Sequence, residues 1–169
     1  MCSSDLVGVI LRHGQSAFLV PNERTQQEEG QRQDRSGHET VGQFSYQHIV
    51  SSTMVFDVRG MARTLAARLS SNEMSTPIRA QQSRGLRETY FKATLSGHRG
   101  PHEWKFGGDA DFGAVREQFA YAITDPGQFE AGTPSTFAFA GRAADHEQSL
   151  FVQDRVSLGR WTRARKSVV

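Results

Sequence analysis

Residues 7–16, VGVILRHGQS, set the first expectation for the fold. The run Leu6–Leu11 is continuously apolar and contains three β-branched residues, a pattern typical of a strand that is buried on both faces of a parallel sheet. Arg12 and His13 follow at once. Because ligands of open α/β sheets bind beyond the carboxyl ends of the strands, this stretch predicts a rigid strand that presents Arg12 and His13 to a crevice.

The composition is that of an ordinary globular chain. Its 169 residues fit one domain, and 37% are hydrophobic and 22% charged. A formal net charge of +2 makes nucleic acid an unlikely partner. The lone Cys2 excludes an internal disulfide, and the N-terminus has no apolar run long enough for a signal peptide or a membrane span. We therefore expect a cytoplasmic protein with no membrane partner.

The apolar spacing predicts alternating strands and helices. Met61, Leu65 and Leu69 recur every four residues in GMARTLAARLSS (60–71), which favours a helix. DADFGAVREQFAYAI (109–123) predicts a second helix, which would end before the DPG breaker. TFAFA (136–140) predicts a late strand. The expected fold class is α/β, a three-layer α/β/α sandwich around a mostly parallel sheet.

Two segments depart from this regular pattern. Residues 23–39 contain no strongly apolar side chain, so they cannot contribute to a core. We expect a single domain, 1–169, with a polar insertion or loop at about 23–47. The arginine-rich end, at about 160–169, is expected to be a basic C-terminal tail.

Short motifs in the chain resemble those of a known enzyme family. LRHGQS (11–16) resembles the opening signature of the histidine phosphatase superfamily, the phosphoglycerate mutase-like family. STPIRAQQS (75–83) and LRETYF (86–91) are similar to later motifs of that family, in the same order, and GGDADFGAVREQF (107–119) is similar to one of its turns and the helix that follows. Together with GMARTLAARL (60–69), these fragments comprise about a quarter of the chain.

The resemblance implies roles for individual residues. His13 would carry the phosphoryl group as phosphohistidine, and Glu88 would protonate the leaving alcohol. The family's second histidine would be His146, although Arg142 occupies the simplest aligned position. The phosphate would be held by five residues: Arg12, Gly14, Gln15, Ser16 and Arg79.

The expected function is therefore that of a metal-independent phosphatase that uses no cofactor. Its substrate would be a phosphorylated small molecule or a phosphoprotein. One alternative is an inactive relative that binds a phosphorylated ligand or a protein partner, which Arg142 at the second histidine position favours. A phosphoglycerate-type mutase and a nucleic-acid binder are further alternatives. The oligomeric state is left open.

Overall fold

The computed structural model describes the backbone of residues 4–158 and 161–168 and the side chains of residues 4–158. Strand accounts for 77% of the chain and helix for 5%. The described strands form one antiparallel sheet in chain order: β1 Asp5–Leu19, β2 Gln33–Ser51, β3 Met54–Ser71, β4 Ile78–Arg99, β5 His102–Ile123, β6 Thr136–Leu158 and β7 Trp161–Val168. A short helix, α1, spans Arg24–Glu28, and a 3-10 turn spans Pro126–Gln128.

The connections differ in length between the two ends of the sheet. Residues 52–53 join β2 to β3, and residues 100–101 join β4 to β5. At the opposite end, the connections are the longer segments 20–32, 72–77 and 124–135. We call these the short-turn end and the long-loop end. Two-residue connections are typical of antiparallel hairpins, and the pairing of each strand with the next one along the chain follows from them.

The two faces of the sheet are packed unequally. On β4, Leu86, Glu88 and Tyr90 are half-buried, whereas the two residues between them are exposed. The same alternation occurs on β3 over residues 61–65. Side chains crowd one another on the inner side of a curved sheet, so we call the more buried side the concave face and the other the convex face. Residues paired across strands share a face, so the register assigns every strand residue to one of them.

The sheet has no second layer within the described residues. Val41 is the one large apolar side chain among them that is buried. The chain exposes 12728 Å², whereas a folded monomer of this mass exposes about 8300 Å². The excess surface means that the sheet is a single layer, open to its surroundings on both faces.

The predicted three-layer α/β/α sandwich is therefore wrong. β1 is not a buried central strand of a parallel sheet, because it pairs antiparallel with β2 at the edge of the described sheet. Val9 and Ile10 point to opposite faces and are 64% and 60% exposed. The continuous apolar run was correctly assigned to a strand, but neither face of that strand is covered.

Both predicted helices are strands. Residues 60–71 lie in β3, and residues 109–123 lie in β5. A spacing of four residues fits the 3.6-residue period of a helix, but it is also twice the two-residue period of a strand. Met61, Leu65 and Leu69 consequently share the concave face of β3.

The remaining expectations had mixed outcomes. TFAFA is confirmed as the beginning of β6. The polar segment 23–47 contains α1, but its larger part is strand β2. In the expected tail, residues 161–168 form β7, whereas residues 160 and 169 lie outside the described residues. The single domain stays a prediction.

Two glycines on the concave face of β5 provide a test of the strand packing. A Cβ atom on Gly107 would collide with the carbonyl oxygen of Ala93 and meet the Phe151 ring at 3.0 Å. A Cβ atom on Gly113 would meet only the Asp145 side chain, at 3.8 Å. We expect Gly107→Ala to lower the free energy of unfolding by about 1–3 kcal/mol. Gly113→Ala should leave it unchanged or raise it by up to about 1 kcal/mol.

The measurement is denaturant unfolding of both variants under identical conditions, followed by far-ultraviolet circular dichroism. Equal effects of the two substitutions would contradict the β4–β5–β6 register.

Candidate functional site

The convex face carries a band of apolar side chains toward the short-turn end. We call this band the apolar belt. It extends over six strands in register, and many of its members are exposed, Leu11 by 81%. The belt consists of Val7, Val9, Leu11, Phe44, Tyr46, Phe56, Val58, Phe91, Leu95, Trp104, Phe106, Phe112, Leu150 and Val152.

Few polar groups interrupt the apolar belt, and most of them have partners. Asp5 accepts hydrogen bonds from His48 Nδ1 at 2.5 Å and from the Tyr46 hydroxyl at 3.2 Å. On β6, Gln148 and His146 follow the belt residues along the convex face and mark its margin. The His146 ring packs edge-on against Phe112, with the ring centroids 5.3 Å apart. The belt is therefore an apolar surface with few polar interruptions.

The concave face is polar at the same height. Four side chains from β1 to β4 form an ion-pair ladder. Arg12 Nη2 lies 3.2 Å from Glu39 Oε2, and Arg63 Nε lies 2.6 Å from Glu39 Oε1. Arg63 Nη1 in turn lies 3.7 Å from Glu88 Oε2. The ladder therefore links four consecutive strands through charged side chains.

Carboxylates dominate the concave face farther along the sheet, on β5 and β6: Asp109, Asp111, Asp145 and Glu147. The Ser149 hydroxyl donates to Asp109, with oxygen–oxygen distances of 2.8 and 2.9 Å. Nearer the long loops, Arg84 Nε and Gln82 Nε2 each donate to Glu117 at 2.8 Å.

An aromatic cluster lies on the concave face close to the long-loop end. It consists of Phe119, Tyr121 and Phe137. The Tyr121 and Phe137 rings stack with their centroids 5.7 Å apart, and Phe119 lies 6.4 Å from Phe137. Phe137 is 47% exposed. The cluster therefore offers open ring surface beside the long loops.

The strand conformation places Arg12 and His13 on opposite faces, because successive side chains of a strand alternate. Arg12 joins the ladder on the concave face. His13 lies on the convex face, where its Nδ1 is 2.8 Å from Thr40 Oγ1 and its Nε2 is 3.0 Å from the Gln15 amide nitrogen. With the proton on Nδ1, His13 donates to Thr40 and accepts from Gln15. The two residues therefore do not face one ligand together.

The other predicted site residues are also divided between the faces. The concave face has Gly14, Ser16 and Glu88, and the convex face has Gln15, Arg79 and His146. His13 on β1 and His146 on β6 are five strand spacings apart, about 24 Å along the sheet. Of the predicted residues on different strands, the structure links only Arg12 and Glu88, through Glu39 and Arg63.

Sequence reasoning missed Glu39, Arg63 and the apolar belt. A signal for the belt was present in residues 103–112, EWKFGGDADF, where apolar or small residues at even positions alternate with mostly charged ones. This period of two is the signature of a strand with one apolar and one polar face. The ladder has no such local signal, because Arg12 and Glu39 are brought together by strand pairing across 27 residues.

No group of three or more His, Cys, Asp or Glu side chains among the described residues is arranged to hold a metal ion. No described helix is long and apolar enough to cross a membrane.

No protein-family model and no curated protein matches the chain, but solved structures match its fold. The ferric citrate transporter FecA, in the unliganded form, is 15% identical with a TM-score of 0.64, over 98% of this chain and 29% of that one. The ferric yersiniabactin uptake receptor FyuA from Yersinia pestis is 10% identical with a TM-score of 0.60, over 92% of this chain and 24% of that one. Both are TonB-dependent receptor β-barrel proteins.

The RagAB peptide transporter also matches, at 11% identity and a TM-score of 0.51, over 82% of this chain and 19% of that one. This chain therefore spans less than a third of the length of each of these proteins. At such low identity the likeness is one of fold. The shared feature is the antiparallel sheet.

These findings correct the expectations about identity and function. The resemblance to histidine phosphatases is wrong, since that family implies an α/β fold and this chain is one antiparallel sheet. The phosphatase activity and the phosphorylated substrates are contradicted with it, because the structural neighbours are transporters and receptors. The cytoplasmic location and the absence of a membrane partner are also wrong, because those neighbours are outer-membrane proteins.

The ion-pair ladder allows a double-mutant test. The Arg12 side chain is 70% exposed, whereas Arg63 and Glu39 are 36% and 27% exposed. Exposed ion pairs contribute little because water screens them. We expect a coupling energy of about 1 kcal/mol for Arg63→Gln with Glu39→Gln, and of about 0.3 kcal/mol or less for Arg12→Gln with Glu39→Gln.

The measurement is equilibrium unfolding of the single and double variants at low and high salt. If the coupling energies of Arg12 and Arg63 with Glu39 were equal, solvent exposure would not determine the strength of these ion pairs.

Proposed function

We propose that this chain forms part of the wall of an outer-membrane β-barrel of the uptake-receptor type. The observation that carries the proposal is the opposite chemistry of the two faces at the same height. The convex face presents the apolar belt, and the concave face presents the ion-pair ladder and the β5–β6 carboxylates. Membrane barrels have this alternation, with apolar side chains facing lipid and polar side chains facing the interior.

The dimensions of the apolar belt fit a membrane. On β5 the convex apolar side chains extend from Trp104 to Phe112, which is about 27 Å along the strand. Strands of membrane barrels are tilted by about 35–45°, so the belt would be about 20 Å tall. The apolar band of outer-membrane barrels is about 25 Å tall. One row of belt residues at either margin would make up the difference.

The connections support one orientation in the membrane. Outer-membrane barrels have short turns on the periplasmic side and longer loops on the outside. The apolar belt lies nearer the short-turn end, and the polar half of the strands extends toward the long loops. We therefore place residues 52–53 and 100–101 on the periplasmic side and the long loops outside the cell.

A lipid environment also requires the sheet to be closed. Backbone N–H and C=O groups left unpaired at a sheet edge are costly in hydrocarbon, so membrane sheets close into barrels. β1 pairs on one side only, with β2, within the described sheet. We propose that further strands pair with its free edge, and that this closure surrounds the polar concave face.

A receptor role places ligand contact on the concave face. The structural neighbours include a ferric citrate transporter, a ferric yersiniabactin uptake receptor and a peptide transporter. We propose that the barrel takes up a small ligand, such as a ferric chelate or a peptide. The ligand would enter past the aromatic cluster of Phe119, Tyr121 and Phe137. Exposed rings beside the long loops provide stacking surface for an arriving molecule.

Two neighbouring residues of β1 allow a matched test of the membrane proposal. Val9 is convex and Ile10 is concave, and the two are almost equally exposed. If the convex face lies in lipid, Val9→Arg should make the free energy of folding into lipid vesicles less favourable by about 2–4 kcal/mol. Ile10→Arg, which would face a water-filled interior, should change it by less than about 1 kcal/mol.

The measurement is denaturant titration, in vesicles, of the closed barrel that this chain helps to form, with folding monitored by heat-modifiable migration on gels. Similar costs for the two substitutions would overturn the assignment of the convex face to lipid.

A further inference from the structure

Three arginines stand on the convex face just beyond the apolar belt, toward the long-loop end. They are Arg87 on β4, Arg116 on β5 and Arg142 on β6, and all three are exposed. Arg116 and Arg142 are directly opposite each other in the β5–β6 register. Arg87 is opposite Ala114, two residues from Arg116. We call this group the arginine triad.

The arginine triad lacks carboxylate partners. None of its members forms an ion pair with a described carboxylate. The convex-face acids of the described strands are Asp5, Asp34 and Asp154. All three lie in other rows of the sheet, away from the triad.

Most arginines of the concave face differ in this respect, with the exception of Arg35, which lies over the Phe18 ring. Arg59 pairs with Asp57 at 3.0 Å, and Arg84 pairs with Glu117 at 2.8 Å. Arg155 lies 3.4 Å from Glu103. The positive charge of the convex face is therefore left without the compensation that the concave face provides.

Like charges directly opposite each other in a sheet are destabilising. The Arg116–Arg142 pair therefore calls for an anion between or above the two guanidinium groups. Arg116 is four residues beyond Phe112, about 13 Å along the strand. This is the height at which lipid headgroups would meet the wall if the apolar belt lies in the hydrocarbon.

We propose that the arginine triad binds the phosphate groups of phosphorylated lipid headgroups in the leaflet at the long-loop end. The proposal rests on the membrane-wall function and goes beyond it by naming a lipid chemistry. Guanidinium groups hold phosphate oxygens through two parallel hydrogen bonds. A headgroup phosphate placed between Arg116 and Arg142 would turn their mutual repulsion into attraction.

The test measures lipid binding to the chain folded in a neutral detergent. The probes are phosphatidic acid and phosphatidylcholine with the same acyl chains, and bound lipid is counted by native mass spectrometry. We expect Arg87→Gln/Arg116→Gln/Arg142→Gln to weaken phosphatidic acid binding on the order of tenfold to a hundredfold. Phosphatidylcholine also carries a phosphate, but its choline ammonium group balances that charge, so the triple substitution should change phosphatidylcholine binding much less.

The matched control is Arg59→Gln/Arg84→Gln/Arg155→Gln, which removes the same charge from the concave face. It should leave phosphatidic acid binding within about twofold of the parent. Equal weakening by both triple variants, or displacement of phosphatidic acid by equimolar inorganic phosphate, would overturn the proposal.

A second variant keeps the test decisive if the triple substitution of the triad prevents folding. Arg116→Lys/Arg142→Lys keeps the charge but loses the paired hydrogen bonds, so we expect several-fold weaker binding. Unchanged affinity would overturn the guanidinium role. The membrane wall is judged separately, by the Val9→Arg and Ile10→Arg pair, so either proposal can fail alone.

Discussion

The register of antiparallel hydrogen bonds is the constraint on which the rest of this structure depends. Each strand pairs with the next one along the chain over most of its length. That pairing decides which face every side chain occupies, and a slip of one residue would exchange the two faces. The apolar belt, the ion-pair ladder and the arginine triad are all products of this register. The described residues form a single layer, so no packed core determines which face a side chain occupies.

A single curved layer with apolar and polar faces needs a partner on each side. The convex surface needs an apolar medium, and the concave surface needs water or polar groups. A bilayer outside and a polar interior satisfy both requirements at once. The similarity in fold to the ferric citrate transporter and the ferric yersiniabactin uptake receptor agrees with this account. That similarity concerns the backbone and does not depend on the chemistry of the two faces. In this account, lipid phosphate groups would balance the positive charge of the arginine triad, which lies just beyond the belt.

The sequence revealed strands more readily than it revealed their arrangement. Residues 6–11 and 136–140 were recognised as strands because apolar and β-branched or aromatic runs are informative by themselves. Residues 60–71 were misassigned because a four-residue spacing satisfies both helical and strand periods, and only their neighbours in the sheet decide between them. The expectation that Arg12 and His13 face one ligand was wrong for a related reason, because it assumed that they follow a strand, whereas they lie within one. Adjacent residues meet one ligand at the end of a strand, but they diverge within it. The ladder could not be predicted, because Arg12 and Glu39 meet only once the register is known.

The most direct test of this account is a spin-label accessibility profile along β5 in lipid vesicles. Single cysteines at positions 104–118, in a Cys2→Ser background, would each carry a nitroxide label. Gly107 and Gly108 are left unlabelled, because a Cβ atom at either position would collide with the neighbouring strands. The account predicts that even positions from 104 to 112 are accessible to oxygen in the lipid, whereas odd positions are accessible to a water-soluble nickel chelate. From position 116 onward, even positions should become accessible to the chelate. A profile without this two-residue alternation would contradict the assignment of one face to lipid and the other to a polar interior.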